Sequence, residues 1–261
     1  MPIAFDTYDL GPRGELRVVA DAEALAQAAA ELVHETLSGA VRERGVATVA
    51  LAGGSTPKRM GQLLAAAPYR DSLPWGNLEI FWGDERFVPL SSEESNAGVA
   101  MRTYLDAVAV DPQRVHAWDT IDITETDSAA AYEAIVRERV AASDNGFPHF
   151  DLVLLGMGDD GHTASLFPGT SALAETTRVA VANPVEKLAT TRLTLTAPTI
   201  NAARQVVFLM AGAGKAGRLA DVIDGPCNTA RLPSQLISPE NGRLIWLVDR
   251  AAAAEVLARR G

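Results

Sequence analysis

Four times along this chain an apolar run of strand length stops at a glycine and gives way to small, polar or charged residues. Residues 46–52 run into Gly53-Gly54-Ser55-Thr56-Pro57, and residues 78–82 into Gly83-Asp84-Glu85-Arg86. Residues 151–155 run into Gly156-Met157-Gly158-Asp159-Asp160-Gly161-His162, and residues 206–211 into Gly212-Ala213-Gly214-Lys215. Runs this apolar suit strands covered on both faces. Segments of helical period alternate with them: after Asp21, a predicted N-cap, the residues Leu25, Ala28, Ala29, Leu32, Val33 and Leu37 share one face of a helix expected to reach about Arg44. Alternation of this kind predicts an α/β fold, an open, mostly parallel, Rossmann-like sheet with helices on both faces, in one domain over 1–261. In such a sheet all four junctions fall on one edge, the edge where ligands bind.

Taken singly, each junction has an ordinary reading beside a functional one. Gly53 to Pro57 is either a turn with Ser55 or Thr56 as helix cap, or a cradle of backbone N–H groups at a positive helix end, suited to an anion. Asp84-Glu85-Arg86 is a solvated loop or part of a site. His162 caps a following helix or transfers protons. Together they put an amide cradle, two or three cations and one histidine on one edge, which describes a site for a phosphorylated small molecule with one proton-transfer group.

Other chemistries fit less well. The net charge of −10 argues against a nucleic-acid or anionic-membrane binder. The four histidines are scattered and no Cys or His pair has ligand spacing, so no metal is expected. A Gly-x-Ser-x-Gly elbow, a nucleotide P-loop and a dinucleotide fingerprint in its required context are all missing, and no cofactor is expected. Nothing in the chain points to an obligate protein partner. No window nears the roughly 18 apolar residues of a membrane span. The one cysteine, Cys227, is expected to be a small buried hydrophobe and suits a reducing compartment, so the cytoplasm is the expected location.

Elsewhere, Ser95 is expected to cap a helix to about residue 108, and Asp127 to open another to about 142. Residues 115–118, 178–182 and 192–196 read as strands, and 183–191 as a loop that could act as a flap.

In order along the chain, the Gly53 to Pro57 motif, Gly83-Asp84-Glu85-Arg86-Phe87-Val88-Pro89 with Ser95-Asn96, Gly156 through His162 to Pro168, Arg192-Leu193-Thr194-Leu195-Thr196 with Ile200-Asn201, and Gly214-Lys215-Ala216 resemble the 6-phosphogluconolactonase family, related in fold to the glucosamine-6-phosphate isomerase/deaminases. The resemblance implies hydrolysis of a phosphorylated sugar δ-lactone, with His162 as the base near a helix start whose dipole favours neutral imidazole, and Asp160 orienting the loop or the ring. It further implies that Gly53, Gly54, Ser55, Thr56, Arg192 and Lys215 receive the phosphate, that Arg86 binds phosphate or assists at the carbonyl, and that Asp84 holds Arg86 or a sugar hydroxyl. The deaminase relatives carry a glutamate as histidine partner where this chain has Phe167, and Asp-Glu-Tyr where it has Asp84-Glu85-Arg86, so a deaminase is the lesser alternative. A non-catalytic sugar-phosphate sensor is another, although no DNA-binding extension accompanies it here.

Overall fold

The computed structural model describes residues 3–260. Along the chain run β1 (Asp6–Asp9), β2 (Glu15–Val19), α1 (Ala22–Arg44), β3 (Ala47–Leu51), α2 (Ser55–Leu64), α3 (Tyr69–Ser72), β4 (Leu78–Trp82), β5 (Asp84–Arg86), α4 (Asn96–Thr103), α5 (Glu125–Arg139), β6 (Leu152–Leu155), β7 (Ala180–Val185), β8 (Thr190–Leu195), α6 (Ala197–Asn201), β9 (Gln205–Met210), α7 (Ala216–Asp224), β10 (Arg243–Asp249) and α8 (Arg250–Arg260). Seven strands form the main sheet in the order β1-β2-β10-β9-β6-β3-β4. Only the β1–β2 pair is antiparallel.

The apolar runs become strands whose residues are buried throughout β3, β4 and β6, as a sheet covered on both faces requires. Right-handed crossovers explain the covering: the step from β2 to β3 moves one way along the sheet and the step from β9 to β10 the other, which sends α1 and α7 to opposite faces. Helix α1 begins where predicted, with the Asp21 carboxylate accepting from the N–H groups of Glu23 and Ala24. It ends at Gly45, whose left-handed φ of 78° is a common helix stop. At the sheet's centre Phe208 and Trp246, on neighbouring strands, stack with ring centroids 4.1 Å apart.

Several local expectations are corrected. Helix α2 is capped by Gly54, with φ 106°, and by neither Ser55 nor Thr56, which are already helical. Helix α4 stops at Thr103, and α5 opens at Glu125 with the Thr124 hydroxyl, rather than Asp127, as its cap. Residues 115–118 contribute one bridge, between Ile80 and Val115, and no strand. Cys227 is exposed, in a loop after α7.

The larger departure is a second sheet, antiparallel, in the order β5-β8-β7. Residues 183–191, expected as one loop, instead end β7 and begin β8, and only 186–189 form the turn of that hairpin; Pro184 is tolerated within β7 because that strand lies at the sheet's edge. Helix α5 packs against this hairpin.

Candidate active site

The four glycine junctions follow β3, β4, β6 and β9, which are consecutive neighbours in the main sheet. From β3 the chain steps outward to β4, and from β6 it steps the other way to β9, so the crevice between β3 and β6 is a topological switch point. Gly53-Gly54 opens one side of that crevice and the Gly156 to His162 loop the other.

His162 is held from several directions. Its Nδ1 lies 2.5 Å from Asp160 Oδ1, and its backbone N–H donates to the same oxygen at 3.1 Å. The imidazole stacks on Phe167, with centroids 4.1 Å apart and planes 29° from parallel. With Nδ1–H donating to Asp160, the tautomer leaves Nε2 as the acceptor, and among the described residues it has no protein partner. Burial works to raise the Asp160 pKa, yet hydrogen bonds from Lys187 and His162 outweigh it and hold the carboxyl well below the usual carboxylate range.

No helix follows Gly161. Residues 163–166 form a tight turn closed by a Thr163–Leu166 bridge, with Thr163 Oγ1 donating to the Gly156 carbonyl and the Ser165 N–H donating to Thr194 Oγ1 of β8. Ties to the second sheet replace the intrahelical bonds, so the expected helix dipole at His162 does not exist.

The second sheet forms the opposing wall. In β5 side chains alternate: Glu85 points inward, 1% exposed, while Asp84 and Arg86 face the cleft. Glu85 accepts from the N–H groups of Arg86, Asn96 and Ala97 and from the Ser95 hydroxyl, and burial pushes its pKa up against those donors. Asp84 accepts from Ser165 Oγ at 2.7 Å and from Asn96 Nδ2 at 3.4 Å, and it makes no ion pair with Arg86. Arg86 pairs directly across the ladder with Arg192. Like charges placed opposite one another destabilise a sheet. Neither guanidinium has a carboxylate within salt-bridge distance among the described residues. Burial and then the Arg86 charge lower the Arg192 pKa. An anion between these walls would relieve that repulsion.

The cleft has two lobes that share Asp84, Arg86, His162 and Ala164. One, of about 360 Å³, is lined by Gly53, Gly54, Gly158 and Lys215; the other, of about 400 Å³, by Asp160, Phe167, Lys187 and Arg192. Lys215 Nζ sits 2.5 Å from Asp159 Oδ1. The fold thus brings Gly53, Gly54, Asp84, Arg86, Asp160, His162, Arg192 and Lys215 to one cleft, with Arg192 and Lys215 in different lobes. Ser55 lines an adjoining cavity beyond Gly54 and Arg86, and Thr56 lines none of these spaces. Three contributors were not singled out from sequence: Lys187, which sat in a loop with no motif, Ser165, and Phe167 as a stacking partner. Only the Ser95-Asn96 and Ser165-Leu166-Phe167 segments of the matching motifs carried a signal. Among the described residues no cluster of three His, Cys, Asp or Glu side chains could hold a metal ion, and no helix is long and apolar enough to cross a membrane.

Residues 20–246 match the family described as glucosamine-6-phosphate isomerases/6-phosphogluconolactonase. A 6-phosphogluconolactonase of Nostoc is 41% identical over 92% of this chain and 98% of its own, and one of Synechocystis 39% identical over 91% and 96%. The solved 6-phosphogluconolactonase of Trypanosoma brucei superimposes with a TM-score of 0.82 at 29% identity, covering 92% of this chain and 98% of that one.

Proposed function

The chain belongs to the glucosamine-6-phosphate isomerase/6-phosphogluconolactonase family, and from that premise we propose that it hydrolyses 6-phospho-D-glucono-1,5-lactone to 6-phospho-D-gluconate. The observation that carries this reading is the Asp160–His162 pair, whose acceptor nitrogen has no partner among the described residues, in a cleft walled by Arg86, Arg192 and Lys215.

Water attacks the lactone C1 while His162 Nε2 takes its proton. The negative charge that develops on the carbonyl oxygen is met by Arg86. Collapse breaks the bond between C1 and the ring oxygen, and the imidazolium returns its proton to that oxygen. Asp160 keeps the ring oriented and the tautomer fixed throughout. The 6-phosphate lies at the amide end of α2, received by the N–H groups of Gly54, Ser55 and Thr56, with Gly53 leaving room and Lys215 and Arg192 adding charge from either side. Asp84, already anchored by Ser165 and Asn96, accepts from a sugar hydroxyl rather than from Arg86. The scheme needs no cofactor. The single cysteine supports the cytoplasm as the location. Phe167 occupies a face of His162, and among the described residues the one carboxylate bonded to the ring is Asp160, which favours the lactonase over a deaminase.

The test compares wild type with His162→Ala on freshly prepared lactone, with spontaneous opening subtracted. Turnover is expected to fall roughly 10²- to 10⁴-fold with KM little changed. Near-normal turnover of the variant would remove His162 as the base, and absence of wild-type activity would remove the function.

A further inference from the structure

We propose that Lys187, at the tip of the β7–β8 hairpin, is a positioning residue that offsets the charge of Asp160 beside the His162 ring and thereby sets the acid limit of the reaction. This rests on the reading of His162 as the base.

The problem Lys187 answers is electrostatic. A carboxylate bonded to Nδ1 orients an imidazole, but it also stabilises the imidazolium and so raises the pH needed to free the base. Asp160 makes that contact, and the helix end that would have opposed it is missing. The geometry supplies another positive charge in its place. Asp160 Oδ1 takes both donors of His162, and Oδ2 is bonded by Lys187 Nζ. The same ammonium lies 5.0 Å from the centroid of the Phe167 ring, which is stacked on His162. Both anchors of Lys187 are therefore the groups that touch the imidazole. The hydrogen bond from this lysine contributes to holding the Asp160 carboxyl ionised.

The charges around His162 come from every wall. Asp159 and Asp160 lie on its own loop, Asp84 and Arg86 on β5, Arg192 on β8, and Lys215 and Arg218 on the β9–α7 side. Each loop aspartate has its own lysine, Asp159 with Lys215 and Asp160 with Lys187. Removing Lys187 leaves the charge next to Nδ1 uncompensated and takes a cation away from the imidazolium. The two effects act in the same direction, towards a protonated His162. The Lys187 side chain is half exposed on a hairpin turn, so replacing it leaves the core intact.

The experiment measures the pH dependence of kcat/KM on the phosphorylated lactone, background subtracted, for wild type, Lys187→Met and Lys187→Arg. It is paired with an NMR titration of the His162 ring, identified by the signal that His162→Ala lacks. In Lys187→Met the acid limb and the ring's midpoint should both move up by about one pH unit, which makes the loss on the acid side approach about tenfold. Lys187→Arg should hold both near their wild-type positions. An even drop at all pH values with the limb in place, or no change at all, would overturn the proposal and make Lys187 a substrate contact or a surface residue. Failure of wild type to open the lactone would instead sink the functional reading, while the ring titration would still report on Lys187.

Discussion

A Cβ built at Gly158 would lie 2.1 Å from two atoms of the His162 ring, closer than any real contact, and the same glycine donates its N–H to the His162 carbonyl at 2.9 Å. Glycine is needed here for space, because the base folds back over the loop that carries it. Gly158→Ala should therefore displace the imidazole and lower kcat roughly 10²-fold, the penalty expected of about an ångström of misplacement. Its melting temperature should stay close to wild type, since the strain falls on a loop; steady-state kinetics beside a thermal melt would check both. At this scale the residue types in the loop were legible, because glycines, carboxylates and a histidine directly after a buried apolar run mark a strand's C-terminal end, and the charges at the other three junctions chose proton transfer over capping for His162. Its surroundings were not. The Asp160 contact depends on a turn of the loop, and the Phe167 stack depends on the chain turning back after Thr163, which no local pattern encodes.

Among the elements, β5 and α4 are joined through one side chain. Glu85 is buried between them and accepts three backbone N–H groups and the Ser95 hydroxyl, so it fixes the start of α4 against the strand that presents Asp84 and Arg86. Glu85→Ala would leave those donors without an acceptor in a dry site, at a cost of roughly 3 kcal/mol, and would free Asn96 from its place beside Asp84. Urea denaturation is the measurement; a loss under about 0.5 kcal/mol, the range of ordinary surface changes, would show that water replaces the carboxylate. Elements with long apolar runs or a polar cap, such as β3, β6 and α1, were readable because burial and capping demand particular residue types. By contrast, β1 is polar and largely exposed, and β5 is three residues long and fully polar in composition. Their strand form comes from the neighbours they pair with, so sequence alone gave no periodicity to detect.

For the molecule as a whole, the proposed phosphate site needs two sheets. Lys215 follows β9 of the main sheet, whereas Arg192 stands on β8 of the second, paired across the ladder with Arg86. If both serve one phosphate, Lys215→Ala and Arg192→Ala should each raise KM for the phosphorylated lactone about 10- to 100-fold, as expected for a lost charge-assisted hydrogen bond. KM for the unphosphorylated lactone should change little, and comparing the two substrates is the check; equal effects on both would move the cation to the carbonyl end. By itself the sequence determined the parallel sheet, the four junctions along one edge and the identity of most groups found there, because buried strands, glycine turns and helix caps each impose local chemistry that survives without knowledge of distant contacts. Tertiary structure alone decided that β5, β7 and β8 leave the main sheet, that the chain after Gly161 turns instead of coiling into a helix, and that Lys187 meets Asp160. The reason is physical: those outcomes are set by pairing between segments far apart in the chain, and the residues involved carry the same local preferences whether or not the partner arrives. His162, Asp160, Arg86 and Lys215 were therefore recognisable from their own junctions, while Lys187 came into view beside them only once the second sheet had closed over the loop.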